Sequence, residues 1–458
     1  MQYDLSRSGR MGRHLWQRVI SHFGHPAKSP RAKSPPSGSD VQPGSGMAGT
    51  EPEPVSAPAG TPAGMSARTS DAAPLLMPPI LLNSFLEPAQ LTDAEAALDK
   101  SKRLAERAAP RQVDRPGSVP AHPPGHSRLA LALQGGGAHG AFTWGVLDRL
   151  LDEPGISVDA ISGASAGALN AVALAAGHLQ DGRAGAQEML SKLWHRIADL
   201  ASMSPLQPMP MERFAPGWRS DWSPGHLMLD FLSRFVSPYQ FNPFGIDPLR
   251  QVLQDLIDFA SLRRPEAIPL FIAATQLDTG DLRVFSNDAI TAETVLASGC
   301  LPSFNQAIKL DENYYWDGGY SGNPALLPLL MNTSAMEILL VRIDPKQVTG
   351  VPMTVNGIRR RLNRIMFNAP LNTELRFIDW LRHELNGPMQ PLTPVGQRLK
   401  ELRIQSLSAD DFMAQLDDSS KLTPDLDFIS RLHQVGHETA DRWLQARQTS
   451  STPLTGCD

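Results

Sequence analysis

Residues 129–142 read LALALQGGGAHGAF: an apolar run, three glycines, then the first turn of a helical pattern. A strand that passes into a helix through a glycine loop restricts a chain strongly. Such units build parallel strands whose crossover helices cover the sheet. The order recurs downstream. SVDAIS (157–162) reads as a strand and AGALNAVALAAG (166–177) as a helix. AIPLFIAATQL (267–277) is a third strand, which DTGD turns toward LRVFS (282–286) as a hairpin. Residues 289–299 are helical, YYWDGGYSGNPALLPLL enters a glycine turn and then a helix, and EILLVRID (337–344) is a last strand. The helix over 141–151 has Phe142, Val146, Leu147 and Leu150 on one side. The expected core is therefore α/β with a mostly parallel sheet, followed by several helices over 352–445.

The flanks differ from this core. Of the chain's 40 prolines, 18 precede residue 126, among Ser/Gly/Ala tracts. That composition cannot bury enough apolar surface to offset chain entropy, so residues 1–125 are expected to be a disordered arm. A capping-box pattern at Thr92 and Glu95 predicts a short helix over 91–107 within it. Residues 1–33 carry seven Lys and Arg against Asp4 alone, near Leu15, Trp16 and Phe23. This set suits contact with an anionic membrane, although a solvated basic tail is the commoner state of such runs. The domain expectation is an arm over 1–125, a catalytic domain over 126–345, and a helical extension over 346–458. Only Cys300 and Cys457 are present, too few for a disulfide framework. The formal charge of −5 gives no reason to expect nucleic acid as a partner. No apolar run approaches the roughly 20 residues of a membrane span, so a cytoplasmic or peripheral-membrane location is expected.

The second strand ends in Gly163-Ala164-Ser165-Ala166-Gly167. This G-x-S-x-G sits between a predicted strand and a predicted helix, the context of a nucleophile elbow. A small-residue turn with a serine cap would leave the same letters. The glycines at 135, 137 and 140 fit a dinucleotide fingerprint, which wants an acid at the end of the next strand. Asp159 has about the right spacing but lies too early, because Ala160, Ile161 and Ser162 continue the strand. An oxyanion loop beside Ser165 accounts for both motifs together.

A serine needs a base. No histidine stands in a strong turn context: His139 lies inside the glycine loop, and His433 and His437 are one turn apart on a C-terminal helix. Asp317 follows NYYW and precedes Gly318 and Gly319, a turn that packs backbone closely around a carboxylate. In a partly dry site such an aspartate can accept the serine proton directly.

GGGAHG, GASAG and DGG, in that order, together with ASGCLPSF (297–304) and DGGYSGNPALLP (317–328), resemble the patatin-like phospholipase family over about 128–345. The C-terminal helices look like those appended to bacterial members. The resemblance implies a three-layer α/β/α fold and a Ser–Asp dyad hydrolysing lipid acyl esters, as a phospholipase A or lysophospholipase does, without metal or cofactor. It implies Ser165 as nucleophile, Asp317 as base, and Gly135, Gly136 and Gly137 as the oxyanion loop, with Gly163, Gly167, Gly318 and Gly319 shaping the turns. His139 departs from the pattern, since many members carry Arg or Lys there, and loss of that charge is expected to alter the response to pH or anionic head groups.

Residues 203–245 hold eight aromatics in 43 positions, against 6% for the chain. Trp218, Trp222 and Phe231 are candidates for an acyl-chain pocket, and a small structural subdomain is the competing reading. Three other functions compete with the dyad hydrolase: a Ser-His-Asp α/β-hydrolase using His433 or His437, a dinucleotide-binding oxidoreductase, and a non-catalytic scaffold.

Overall fold

The computed structural model describes residues 127–202, 236–386 and 394–451. The N-terminal arm with its 91–107 helix, and Trp218, Trp222 and Phe231, lie outside the described residues.

Eight strands form one sheet: β1 (Ser127–Leu133), β2 (Ile156–Ala164), β3 (Leu270–Gln276), β4 (Leu282–Ser286), β5 (Ile308–Leu310), β6 (Asn313–Asp317), β7 (Glu337–Val341) and β8 (Arg403–Leu407). Their order is β5-β6-β3-β2-β1-β7-β8, with β4 also paired to β3. The five strands from β3 to β8 are mutually parallel, and β4, β5 and β6 join antiparallel. The sheet is mixed and mostly parallel, as the strand–helix alternation requires. The expected hairpin forms between β3 and β4.

The helices used below are α1 (Gly140–Leu151), α2 (Ala166–Ser202), α3 (Pro248–Leu256), α4 (Ala292–Ser298), α5 (Leu327–Asn332), α6 (Val355–Asn386), α7 (Pro394–Glu401) and α8 (Leu426–Ser451). The α2 span is broken at Asp181 and at Gly182, which sits at φ +55°.

The letters of β1 explain the layering. Side chains alternate across a strand, so LALAL sends leucines one way and alanines the other. Leu129, Leu131 and Leu133 join Phe142, Leu147, Leu190, Trp194, Phe428 and Leu432 in a core with α1, α2 and α8. Ala130 and Ala132 join Leu326, Leu329, Leu371, Ile378 and Leu402 in a second core with α5, α6 and α7. Helices thus cover both faces, giving α/β/α layers.

The C-terminal residues include a strand that the sequence reading missed. RIQSL (403–407) adds β8 beside β7 in parallel register, Glu337 to Val341 opposite Arg403 to Leu407. Its polar letters do not alternate clearly, and edge pairing rather than pattern makes it a strand. Helix α8 lies against α1 at a close crossing. A Cβ on Gly145 would overlap the His433 carbonyl, and one on Gly436 the Phe142 carbonyl.

Candidate active site

Strand β2 stops at Ala164, and Ser165 takes φ +53° before α2 begins at Ala166. A non-glycine residue in the left-handed region costs roughly 1–2 kcal/mol. The sharp turn works only with small neighbours. A Cβ on Gly163 would lie 2.6 Å from Gly167 backbone, and one on Gly167 would overlap the Leu133 carbonyl. Ser165 is half-buried, and its N–H donates to Ser298 Oγ at 2.9 Å.

Asp317 arrives from the opposite direction. Along one edge of β3, β2 pairs up to Ala164 opposite Ala273, and β6 takes over with Asp317 opposite Ala274. β4 occupies the other edge of these residues. The parallel β2 and antiparallel β6 therefore meet head-on, and their C-terminal ends bring Ser165 and Asp317 together.

The Asp317 side chain is buried. Its Oδ1 accepts from Gly319 N at 2.7 Å, while Oδ2 has no hydrogen-bond partner among the described residues. The Ser165 hydroxyl is nonetheless close enough to favour the carboxylate. Burial dominates and pushes the carboxyl up to about 7, against the smaller opposing pull of Gly319 N–H and Ser165. The same dry surroundings push the Cys300 thiol and the Tyr320 phenol up to about 12, each with the Asp317 charge as second cause. Gly318 is forced by space, since any Cβ there would overlap the Ala273 carbonyl.

The glycine loop lies against the elbow. A Cβ on Gly135 would sit 2.6 Å from the Ala164 carbonyl oxygen and 2.7 Å from Ser165 Cβ. Gly137 sits at φ +59° against the Lys421 carbonyl. The amides differ in their commitments. Gly135 N–H donates to Asn323 Oδ1 at 2.7 Å. Among the described residues, no acceptor takes the N–H of Gly136 or Gly137; Gly136 is half-buried and Gly137 exposed, whereas Gly135 is buried. Gly135 thus differs from its two neighbours in the expected oxyanion set: its donor is already used.

Two positioning residues escaped the sequence reading. Asn323 is fully buried and joins the Asp317 loop to the glycine loop. Gln134 is also fully buried, and its Oε1 accepts from Ile343 N and Asp344 N at 2.8 and 2.9 Å, anchoring the loop to the end of β7. The only earlier signal was their place beside the motifs, in LQGGG and SGNP.

The histidines are placed elsewhere. His139 is buried, bonded through Nε2 to Ser420 Oγ at 2.7 Å. Burial, reinforced by Lys421 and Arg364 and opposed by Asp418, lowers its pKa to about 3. It is neutral at ordinary pH and carries no charge toward a ligand. His433 Nε2 bonds Asp148 at 2.7 Å and its ring packs on Trp144. Asp148 is eight residues along α1 from Gly140, about 12 Å from the glycine loop. His437 approaches Asp152, further along still. Asp159, the acid a dinucleotide site would need, instead bonds Arg128 and the N–H groups of Ser334 and Ala335.

Among the described residues, no helix is long and apolar enough to cross a membrane. Residues 131–330 match the family model described as Patatin-like phospholipase. Among solved structures, the chain is similar to VipD from Legionella pneumophila, at 16% identity over 70% of this chain and 67% of that one, with a TM-score of 0.35. It is also similar to a chain of the heterodimeric ExoU–SpcU complex of the type III secretion system of Pseudomonas aeruginosa, at 19% identity and a TM-score of 0.25. That match covers 71% of this chain and 60% of the other. No curated protein matches the sequence.

Proposed function

We propose that this chain is a lipid acyl ester hydrolase of the patatin-like phospholipase kind, the family whose model residues 131–330 match, that Ser165 and Asp317 are its catalytic dyad, and that it cleaves phospholipid or lysophospholipid acyl esters. The observation carrying this reading is the head-on meeting of β2 and β6 on one edge of β3. It sets a serine in an elbow beside a buried carboxylate with one unpartnered oxygen.

The chemistry follows from the geometry. Ser165 Oγ attacks the ester carbonyl carbon while its proton passes to Asp317 Oδ2. The carbonyl oxygen gains the negative charge and lies under the free amides of Gly136 and Gly137, where one preorganised donor is worth ~3 kcal/mol. The C–O bond then breaks, and the leaving alcohol takes the proton from Asp317. Water attacks the acyl-serine with Asp317 as base again, and the proton returns to Ser165 as the fatty acid departs. A base with its pKa near the working pH suits both directions of transfer. Treatment with a fluorophosphonate probe, followed by peptide mapping, is expected to find one adduct, on Ser165. An adduct elsewhere with Ser165 unmodified removes the assignment.

Asn323 acts through the loop rather than on the substrate. Its Oδ1 accepts from Gly135 N–H, which ties the glycine loop to the Asp317 loop and leaves the next two amides as the donors available to an oxyanion. Asn323→Ala is expected to lower kcat by roughly 10- to 100-fold on a soluble short-chain ester, with KM nearly unchanged. A rise in KM with kcat intact would instead make Asn323 a contact for the ester ground state.

A further inference from the structure

Helix α6 has two unlike faces. Its inner face holds Asn368, Leu371 and Ile378, all buried. Phe367 packs against Tyr320 at a tilt, 4.7 Å between ring centroids, and abuts Gly319, so this helix packs directly on the Asp317 loop. Its outer face is apolar. Met353 and Val355 at its start, then Ile358, Leu362, Ile365 and Met366, are between 43% and 87% exposed. The helical positions recur at three- and four-residue spacing, so they form one stripe. Scattered exposed apolar residues are ordinary, but a contiguous stripe marks an interaction surface.

Charge decides the partner. From Pro345 to Thr373 the chain carries no Asp or Glu, yet it carries Lys346, Arg359, Arg360, Arg361 and Arg364, within a protein of net charge −5. Asp417 and Asp418 pair with Arg360 and Arg364. Arg361 bonds only the neutral carbonyls of Thr349 and Gly350 among its described partners, and Lys346 is exposed. An apolar stripe on a segment with no acid of its own, beside Lys346 and Arg361, which have no acidic partner among the described contacts, suits an anionic lipid surface, where apolar insertion and electrostatic attraction add. We infer that the outer face of α6, from Met353 to Met366, docks the enzyme on an anionic lipid surface with the Asp317 loop directly behind it. The inference rests on the reading of the chain as a lipid acyl hydrolase.

The test uses the full chain with vesicles of phosphatidylcholine alone or with about one third phosphatidylglycerol. The wild-type protein is expected to float with the phosphatidylglycerol vesicles, to bind the neutral ones more weakly, and to be released by high salt. The Leu362→Asp/Ile365→Asp variant is expected to lose binding and vesicle-lipid hydrolysis by at least about tenfold, while turnover of a soluble short-chain ester stays within about twofold. An environment-sensitive fluorophore on Leu362→Cys should shift to the blue on the anionic vesicles. Unchanged flotation of the double variant, or no spectral shift, overturns the docking face. So does a wild-type dimer that the double substitution dissociates, because the occupant is then a second copy. Ser165→Ala should float normally without hydrolysing lipid. If it hydrolyses, the dyad has failed and the docking face stands. If the wild-type chain cleaves the soluble ester but does not float, the docking face alone has failed.

Discussion

Ser165→Ala is expected to reduce acyl-ester turnover by roughly 10⁴-fold or more, because the proposed acyl intermediate forms on the elbow serine. The fold should be unaffected. Alanine keeps the positive φ that serine already tolerates there, and its smaller side chain clashes with nothing that serine avoids. Ser165→Gly, which relieves the left-handed strain, should melt higher than either by an increment worth about 1 kcal/mol. Turnover measured on a lipid panel beside thermal unfolding checks both statements. More than about 1% of wild-type turnover in the alanine variant would contradict a serine nucleophile.

Asp317→Asn is expected to abolish turnover by a comparable factor while making the protein more stable at alkaline pH. The sign follows from burial. The Asp317 carboxyl titrates near 7 in the folded chain against an ordinary 3.8, so between these values the folded state binds more protons than the unfolded one. Stability from this group is therefore present at low pH and is lost as pH rises through about 7. At pH 8 the ionised carboxylate costs roughly a few kcal/mol, which asparagine removes. The melting-temperature gap between variant and wild type should be widest above pH 7 and shrink toward pH 4. Catalysis runs the other way, since only the carboxylate accepts a proton. Wild-type kcat/KM should fall about tenfold per unit as pH drops below about 7. An acid limb near pH 4, or a melting gap independent of pH, would place Asp317 in a wetter site than its burial implies. In the proposed dyad, the stability lost at Asp317 is a cost carried for function, as at other strained or desolvated catalytic positions.

Much of this was legible in the letters. The alternation of large and small residues in LALAL is a local property of a strand, and it already assigns leucines to one layer and alanines to the other. GASAG and DGG are local as well. Gly163, Gly167 and Gly318 stand where any Cβ would meet backbone, so steric exclusion writes itself into the sequence. What the letters could not carry is whatever depends on partners distant along the chain. Strand β8 has no pattern of its own and exists because β7 offers an open edge. That Gly135 is already bonded, and Gly136 and Gly137 are not, depends on an asparagine 188 residues away. The neutrality of His139 depends on the burial and cations that Ser420, Lys421 and Arg364 bring to it, where a motif alone suggested only a missing charge. Likewise the pairing of Ser165 with Asp317 is set by two strands sharing one edge of β3, and the basicity of that aspartate by the dry space they enclose. Residue type and local spacing determined which groups can do chemistry in this protein. Desolvation and long-range pairing, which exist only in the packed chain, decided which of them are positioned and charged to do it.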